Sequence, residues 1–136
     1  MAGEYTLTGL AVPAGLDDLH DLQERIGTEH PQLSAADLML FETAVIEIAG
    51  NVVEHGRPPG EVHWTFTLAV LEDRIEATLS DDGVPFEGGD DLPGAEMPDA
   101  LAEGGRGFAL AGAVLDELDY RRTDGANHWQ LVRNRT

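Results

Sequence analysis

Residues 41–56 read FETAVIEIAGNVVEHG, and the way this stretch folds decides the rest. Leu38, Phe41, Val45, Ile48 and Val52 recur at intervals of three and four, the spacing of one buried helix face. A second row, Glu47, Asn51 and His55, repeats every four residues and stacks turn upon turn along a neighbouring face. Asn is a poor choice inside a helix because its amide competes for backbone groups. The adjacent Gly50 costs about 1 kcal/mol relative to Ala. Polar and flexible residues inside an otherwise apolar helix break local rules, and such breaks concentrate at functional sites.

Working outward, Ser34-Ala-Ala-Asp37 forms a capping-box-like start, so the helix is expected from about Ala35 to His55, with Gly56 and Pro58-Pro59-Gly60 stopping it. Before it, Glu4–Val12 alternates like a first strand broken by Pro13 and Gly15. Leu16, Leu19, Leu22 and Ile26 then mark a short amphipathic helix. After it, Val62–Leu71 alternates Val62, Trp64, Phe66, Leu68 and Val70 with polar or small residues. Glu72-Asp73 turns the chain, and Arg74–Ser80 returns with Ile75, Ala77 and Leu79 inward. Residues 83–104 hold five glycines, three prolines and six acids, the composition of a lid, a binding segment or a tolerated insertion. Gly104-Gly105-Arg106-Gly107 opens another helix. A last hairpin is expected over Leu118–Arg122 and His128–Val132, turning at Asp124-Gly125. The order β-α-α-β-β-lid-α-β-β predicts a single α+β domain over residues 1–136. Its architecture is a two-layer sandwich, a mixed, mostly antiparallel sheet covered on one face by helices.

Composition narrows the chemistry. The chain has 136 residues, enough for a real core, and no cysteine, which excludes disulfides and thiol catalysis. With 26 acidic and 8 basic residues its formal charge is −18, and every basic residue is arginine. Direct binding to DNA or RNA is therefore not expected. A polyanion such as a nucleotide would need a metal ion, backbone N–H groups and a few arginines. No apolar run approaches bilayer length and no basic-then-apolar segment opens the sequence, so a cytoplasmic protein with no membrane contact is expected.

Three segments carry candidate chemistry. Asn51 offers a neutral oxygen suited to Mg²⁺, and Glu47 one turn earlier can take a proton or orient water; a plain polar helix face would look the same. Asp81-Asp82-Gly83-Val84-Pro85-Phe86 puts a carboxylate at a strand end beside a glycine. That carboxylate can accept from an exocyclic amine such as adenine's, but the segment can equally be an ordinary Asp-Gly turn. Gly104-Gly105-Arg106-Gly107-Phe108 exposes backbone N–H groups at a helix start, where an anion is favoured; a hinge without a ligand is the alternative. The P-loop spacing is absent, as is the lysine it needs.

The three motifs in this order resemble the GHKL superfamily of ATP-binding domains. Within it they look most like the bacterial anti-sigma factor and serine-protein kinase (switch-protein kinase) branch. FETAVIEIAGNVVEHG corresponds to the N-box, DDGVPF to the first glycine box, and GGRGFALAGAVLDELDY to the second and the strand after it. The resemblance implies the histidine-kinase-like (Bergerat-type) fold and roles for the matched residues. Asn51 would hold Mg²⁺ on the triphosphate of ATP, Glu47 would be the catalytic base, and His55 would approach the phosphates. Asp81 would hold the adenine amine with Gly83 giving the base room. Gly105, Arg106 and Gly107 would line the phosphates, and residues 86–104 would form the ATP lid. Many members of the superfamily place a Thr near adenine on the last strand; this chain has Ala126-Asn127-His128-Trp129 there. Pro85 stands where a second glycine is often found, and the lid is unusually acidic.

The implied function is an ATP-binding anti-sigma regulatory factor with serine/threonine kinase activity. It would sequester a sigma factor and phosphorylate an anti-sigma factor antagonist, as a homodimer. The alternative is a nucleotide-dependent protein-binding module without kinase activity; a plain acidic structural domain with no ligand is a third reading.

Overall fold

The computed structural model describes residues 3–55, 61–84 and 111–135, apart from the side chain of His55. Five strands and two long helices are described: β1 (Gly3–Leu10), α1 (Pro13–Glu29), α2 (Ala35–His55), β2 (His63–Val70), β3 (Arg74–Asp81), β4 (Glu117–Thr123) and β5 (Ala126–Asn134). The strands form one sheet in the order β1-β2-β3-β5-β4, and each of the four pairings is antiparallel. Both helices lie on one face. The result is the two-layer α+β sandwich that the alternation of strands and helices implies.

The inward rows are apolar because the pleat sends alternate residues to the helices. Trp64, Phe66, Leu68 and Val70 of β2, Ile75, Ala77 and Leu79 of β3, and Trp129 and Leu131 of β5 are all buried. From above they meet Phe41, Val45, Ile48 and Val52 of α2 and Leu19, Leu22 and Ile26 of α1, the helical rows read from the sequence. The outward positions of β2 and β3 are polar or small, as expected for a sheet face left to water.

One expectation is corrected. Pro13 and Gly15, taken from sequence as a break after the first strand, instead form the first turn of α1. Pro at the first helical position loses no hydrogen bond that the helix would make, and its fixed φ suits the helix. Gly15 is required by packing: a methyl there would come within 2.6 Å of Trp64 Cζ2 and 2.9 Å of the Leu10 carbonyl. Gly27 plays the same part between the helices, where a methyl would meet Leu38 Cδ2 at 2.9 Å.

Two ties orient α2. Ser34 Oγ accepts from the Asp37 backbone N–H at 3.3 Å, the N-terminal cap expected from sequence. The Asp37 carboxylate, 1% exposed, accepts from Arg133 Nε and Nη2 at 3.1 Å each, while Arg133 Nη1 donates to the Val114 carbonyl at 2.5 Å. Arg133 lies opposite Ile75 in the sheet, so α2 begins above the start of β3. Its principal sheet contacts are β3 and β5, so it runs along them. From Asp37 to Asn51 the helix advances about 21 Å, and from Ile75 to Asp81 the strand advances about 20 Å. The last turns of α2 and the Asp81 end of β3 therefore share one end of the sheet. Among the described residues no helix is long and apolar enough to cross a membrane.

Candidate functional site

At that end the inner face turns polar. Trp64, Asp81, Asn127 and Arg122 stand in register on β2, β3, β5 and β4. The next row inward, Phe66, Leu79, Trp129 and Tyr120, is apolar or aromatic, and the Tyr120 and Trp129 rings pack with centroids 4.7 Å apart. A carboxylate has therefore been carried onto the core face at the rim of the sheet.

The two neighbouring aspartates differ sharply. Asp82 is exposed, and its Oδ1 accepts from the His63 backbone N–H at 2.7 Å, closing the β2–β3 end. Asp81 is 4% exposed. Its Oδ1 accepts from the Asn127 amide and from the Gly83 N–H, both at 2.9 Å. Its Oδ2 is buried with no hydrogen-bond partner among the described residues. A buried carboxylate oxygen left unpaired costs more than the bond that would satisfy it. Burial holds the Asp81 pKa above the usual carboxylate range; the Asn127 and Gly83 bonds and the charge of Arg122 pull it back down, and Asp82 adds to the rise. The orphan oxygen is thus a strong acceptor waiting for a donor.

Gly83 is buried beside it, and a methyl at this position would crowd Asp81 Oδ1 at 3.1 Å and Val62 Cγ2 at 3.3 Å. The glycine preserves the arrangement by keeping its own substituent out. On α2, Glu47 is exposed and Asn51 half-buried one turn later. Between them, Gly50 has no described atom within 4 Å of the place a methyl would occupy. Packing among the described residues does not demand this glycine. Among the described residues no cluster of three or more His, Asp or Glu could hold a metal ion. Mg²⁺ is commonly held by one or two protein oxygens together with those of phosphates and water.

The expected site residues therefore fall into two described groups at one end of the sheet, Glu47 and Asn51 on α2 and Asp81 and Gly83 at the end of β3. His55 closes α2, but its side chain lies outside the described residues, as do Gly105, Arg106, Gly107 and the 86–104 segment. Sequence reasoning missed Asn127 and Arg122 as neighbours of Asp81, and Tyr120 as a partner of Asn127. Part of the signal was present: the Asp124-Gly125 turn, with φ of 53° and 77°, fixes the last hairpin's register but not its place beside β3. That register, followed from Trp129 and Leu131, puts Asn127 on the inner face.

Among the described residues this end of the sheet thus presents a buried acceptor without a donor, Asp81 Oδ2, and on α2 the half-buried Asn51. No curated protein matches the chain. Residues 12–133 match the histidine kinase-like ATPase domain, a span that runs from the start of α1 nearly to the end of β5. The chain belongs to the histidine kinase-like ATPase domain family.

Proposed function

We propose that this protein binds Mg·ATP and works as an anti-sigma regulatory factor with serine/threonine kinase activity, phosphorylating an anti-sigma factor antagonist and sequestering a sigma factor. The observation that carries the nucleotide site is the buried, unpartnered Asp81 Oδ2 beside Gly83. An exocyclic amino group is the donor it lacks, and adenine has one at the edge a strand-end carboxylate can reach. The order of the three motifs supports the kinase and anti-sigma reading.

In this reading Asp81 accepts from the adenine amine, and Asn51 supplies an oxygen to Mg²⁺ on the phosphates. Gly105, Arg106 and Gly107 line the phosphates, with His55 near them and residues 86–104 as the lid. ATP supplies the transferable phosphoryl group, and Mg²⁺ offsets its negative charge. Glu47 takes the proton of the antagonist's Ser or Thr hydroxyl as that oxygen bonds to phosphorus, and ADP departs with the electrons of the broken P–O bond. The added phosphate then weakens the antagonist's hold on so acidic a protein by like-charge repulsion. Cytoplasmic location and a homodimer complete the proposal.

A second reading has one observation in its favour. Glu47 is exposed and no described side chain holds it, whereas a general base is normally oriented by a partner. A nucleotide-dependent binding module would not need it oriented. Incubation of candidate antagonists with labelled ATP separates the two. Phosphate incorporation that disappears in Glu47→Ala, with Mg·ATP still bound, supports the kinase. Antagonist binding without incorporation supports the module.

A further inference from the structure

Asn127 and Arg122 are bound to the Asp81 turn more thoroughly than a strand end needs. The Asn127 amide donates to Asp81 Oδ1 at 2.9 Å and to the Val84 carbonyl at 2.7 Å. Its oxygen accepts from the Tyr120 hydroxyl and from Arg122 Nη1 at 3.1 Å. Two donors and two acceptor sites are the whole capacity of an Asn side chain. Asn127, 3% exposed, has nothing left for a ligand. Arg122 Nη1 also donates to the Gly83 carbonyl at 2.7 Å. Two residues of the β4–β5 hairpin thus hold one oxygen of Asp81 and both carbonyls of the turn that follows it.

We propose that Asn127 and Arg122 are positioning residues that set base selectivity, by fixing which Asp81 oxygen faces the ligand and where the Gly83–Val84 backbone stands. The inference rests on the nucleotide reading above and adds residues that touch no ligand themselves. Without the Asn127 amide, Asp81 Oδ1 keeps only the Gly83 N–H, and the carboxylate can rotate to share both oxygens with that donor. Without Arg122, the Gly83 carbonyl loses its described partner and Asn127 loses one of the two donors to its oxygen. A site assembled before the ligand arrives spends no binding energy on ordering itself. The clamp leaves Asp81 Oδ2 as the carboxylate oxygen without a donor among the described residues.

The test compares ATP with purine riboside triphosphate, which has the same ring and phosphates but no amino group at position 6. Both are titrated calorimetrically with Mg²⁺ into wild type, Asn127→Ala, Arg122→Gln and the conservative Arg122→Lys, alongside thermal melts. Wild type should prefer ATP by about 10- to 150-fold, the range for one hydrogen bond to a charged group. Asn127→Ala should bring that ratio to within about threefold of unity, with the affinity for purine riboside triphosphate changed less than the affinity for ATP. Arg122→Gln should lower the ratio to an intermediate value that Arg122→Lys partly restores. A merely structural role would lower the melting temperature and weaken both nucleotides together, leaving the ratio at the wild-type value; that outcome overturns the inference. Wild type that binds neither nucleotide, or binds both equally, overturns the nucleotide reading itself. Should Asn127→Ala fail to fold, the ratios in the two Arg122 variants decide alone.

Discussion

Replacing Asp81 by Asn should turn the base preference around rather than simply abolish binding. Two donors, the Asn127 amide and the Gly83 N–H, converge on Oδ1 at 2.9 Å. The new amide must therefore keep its oxygen there and place its NH₂ where Oδ2 stood. A donor then faces the amino group of adenine. The lost charge-assisted hydrogen bond weakens ATP binding by about 1.5–3 kcal/mol, roughly 10- to 150-fold, before any penalty for opposed donors. Inosine triphosphate, with a carbonyl at the same position, gains a neutral bond worth about 0.5–1.5 kcal/mol. The ATP-to-ITP preference should therefore shift by about 2–4.5 kcal/mol toward ITP, read by competitive titration in the presence of Mg²⁺. The free protein should respond in the opposite direction. Because burial raises the Asp81 pKa, the folded state takes up a proton more readily than the unfolded chain. This group's contribution to stability therefore falls as pH rises from the ordinary aspartate range through the raised value. Asp81→Asn removes that loss, so the variant should melt higher than wild type above this window while binding ATP poorly. Unchanged ATP affinity with an unchanged ATP-to-ITP ratio would refute the assignment of Oδ2 as the base acceptor.

Other consequences concern the frame of the site. Arg133→Met takes the Arg133 guanidinium away from the buried Asp37 carboxylate and should cost up to about 3–5 kcal/mol in denaturant unfolding; the double variant with Asp37→Leu should recover much of this. Gly15→Ala drives a methyl into Trp64 and the Leu10 carbonyl and should cost about 1–3 kcal/mol, whereas Gly50→Ala, with no described atom within 4 Å of the added methyl, should stabilise free protein by up to about 1 kcal/mol. Glu29 accepts from the Tyr5 hydroxyl at 2.6 Å and from Arg25, in that order of effect, which lowers its pKa. Its stabilising contribution is present above the ordinary glutamate range and lost as pH falls through the lowered value. Tyr5→Phe should flatten that part of the acid-side stability profile.

Much of this architecture was legible because each signal was local. The three- and four-residue spacing of Phe41, Val45, Ile48 and Val52 and the strict alternation of β2 and β3 left little choice of element or of inward face. What alternation could not supply was adjacency. Nothing near Asp81 indicates that β5, rather than β4, lies beside β3, and Asn127 becomes its neighbour only through that pairing. Pro13 misled for a related reason. Proline ends one element and begins another equally well, and only the helix docked on Trp64 tells which. The polarity of Asp81 is a third case. In sequence it looked like half of an Asp-Asp-Gly turn, and only burial distinguishes it from Asp82, which caps backbone at the surface.

The function of this chain turns on whether it takes Mg·ATP through α2 and the Asp81 turn. Calorimetric titration of ATP with and without Mg²⁺, into wild type and Asn51→Ala, tests this most directly. The prediction is magnesium-dependent binding to wild type whose magnesium dependence is lost in Asn51→Ala. Wild type that binds no ATP, or an Asn51→Ala variant whose magnesium-dependent affinity equals that of wild type, would contradict it.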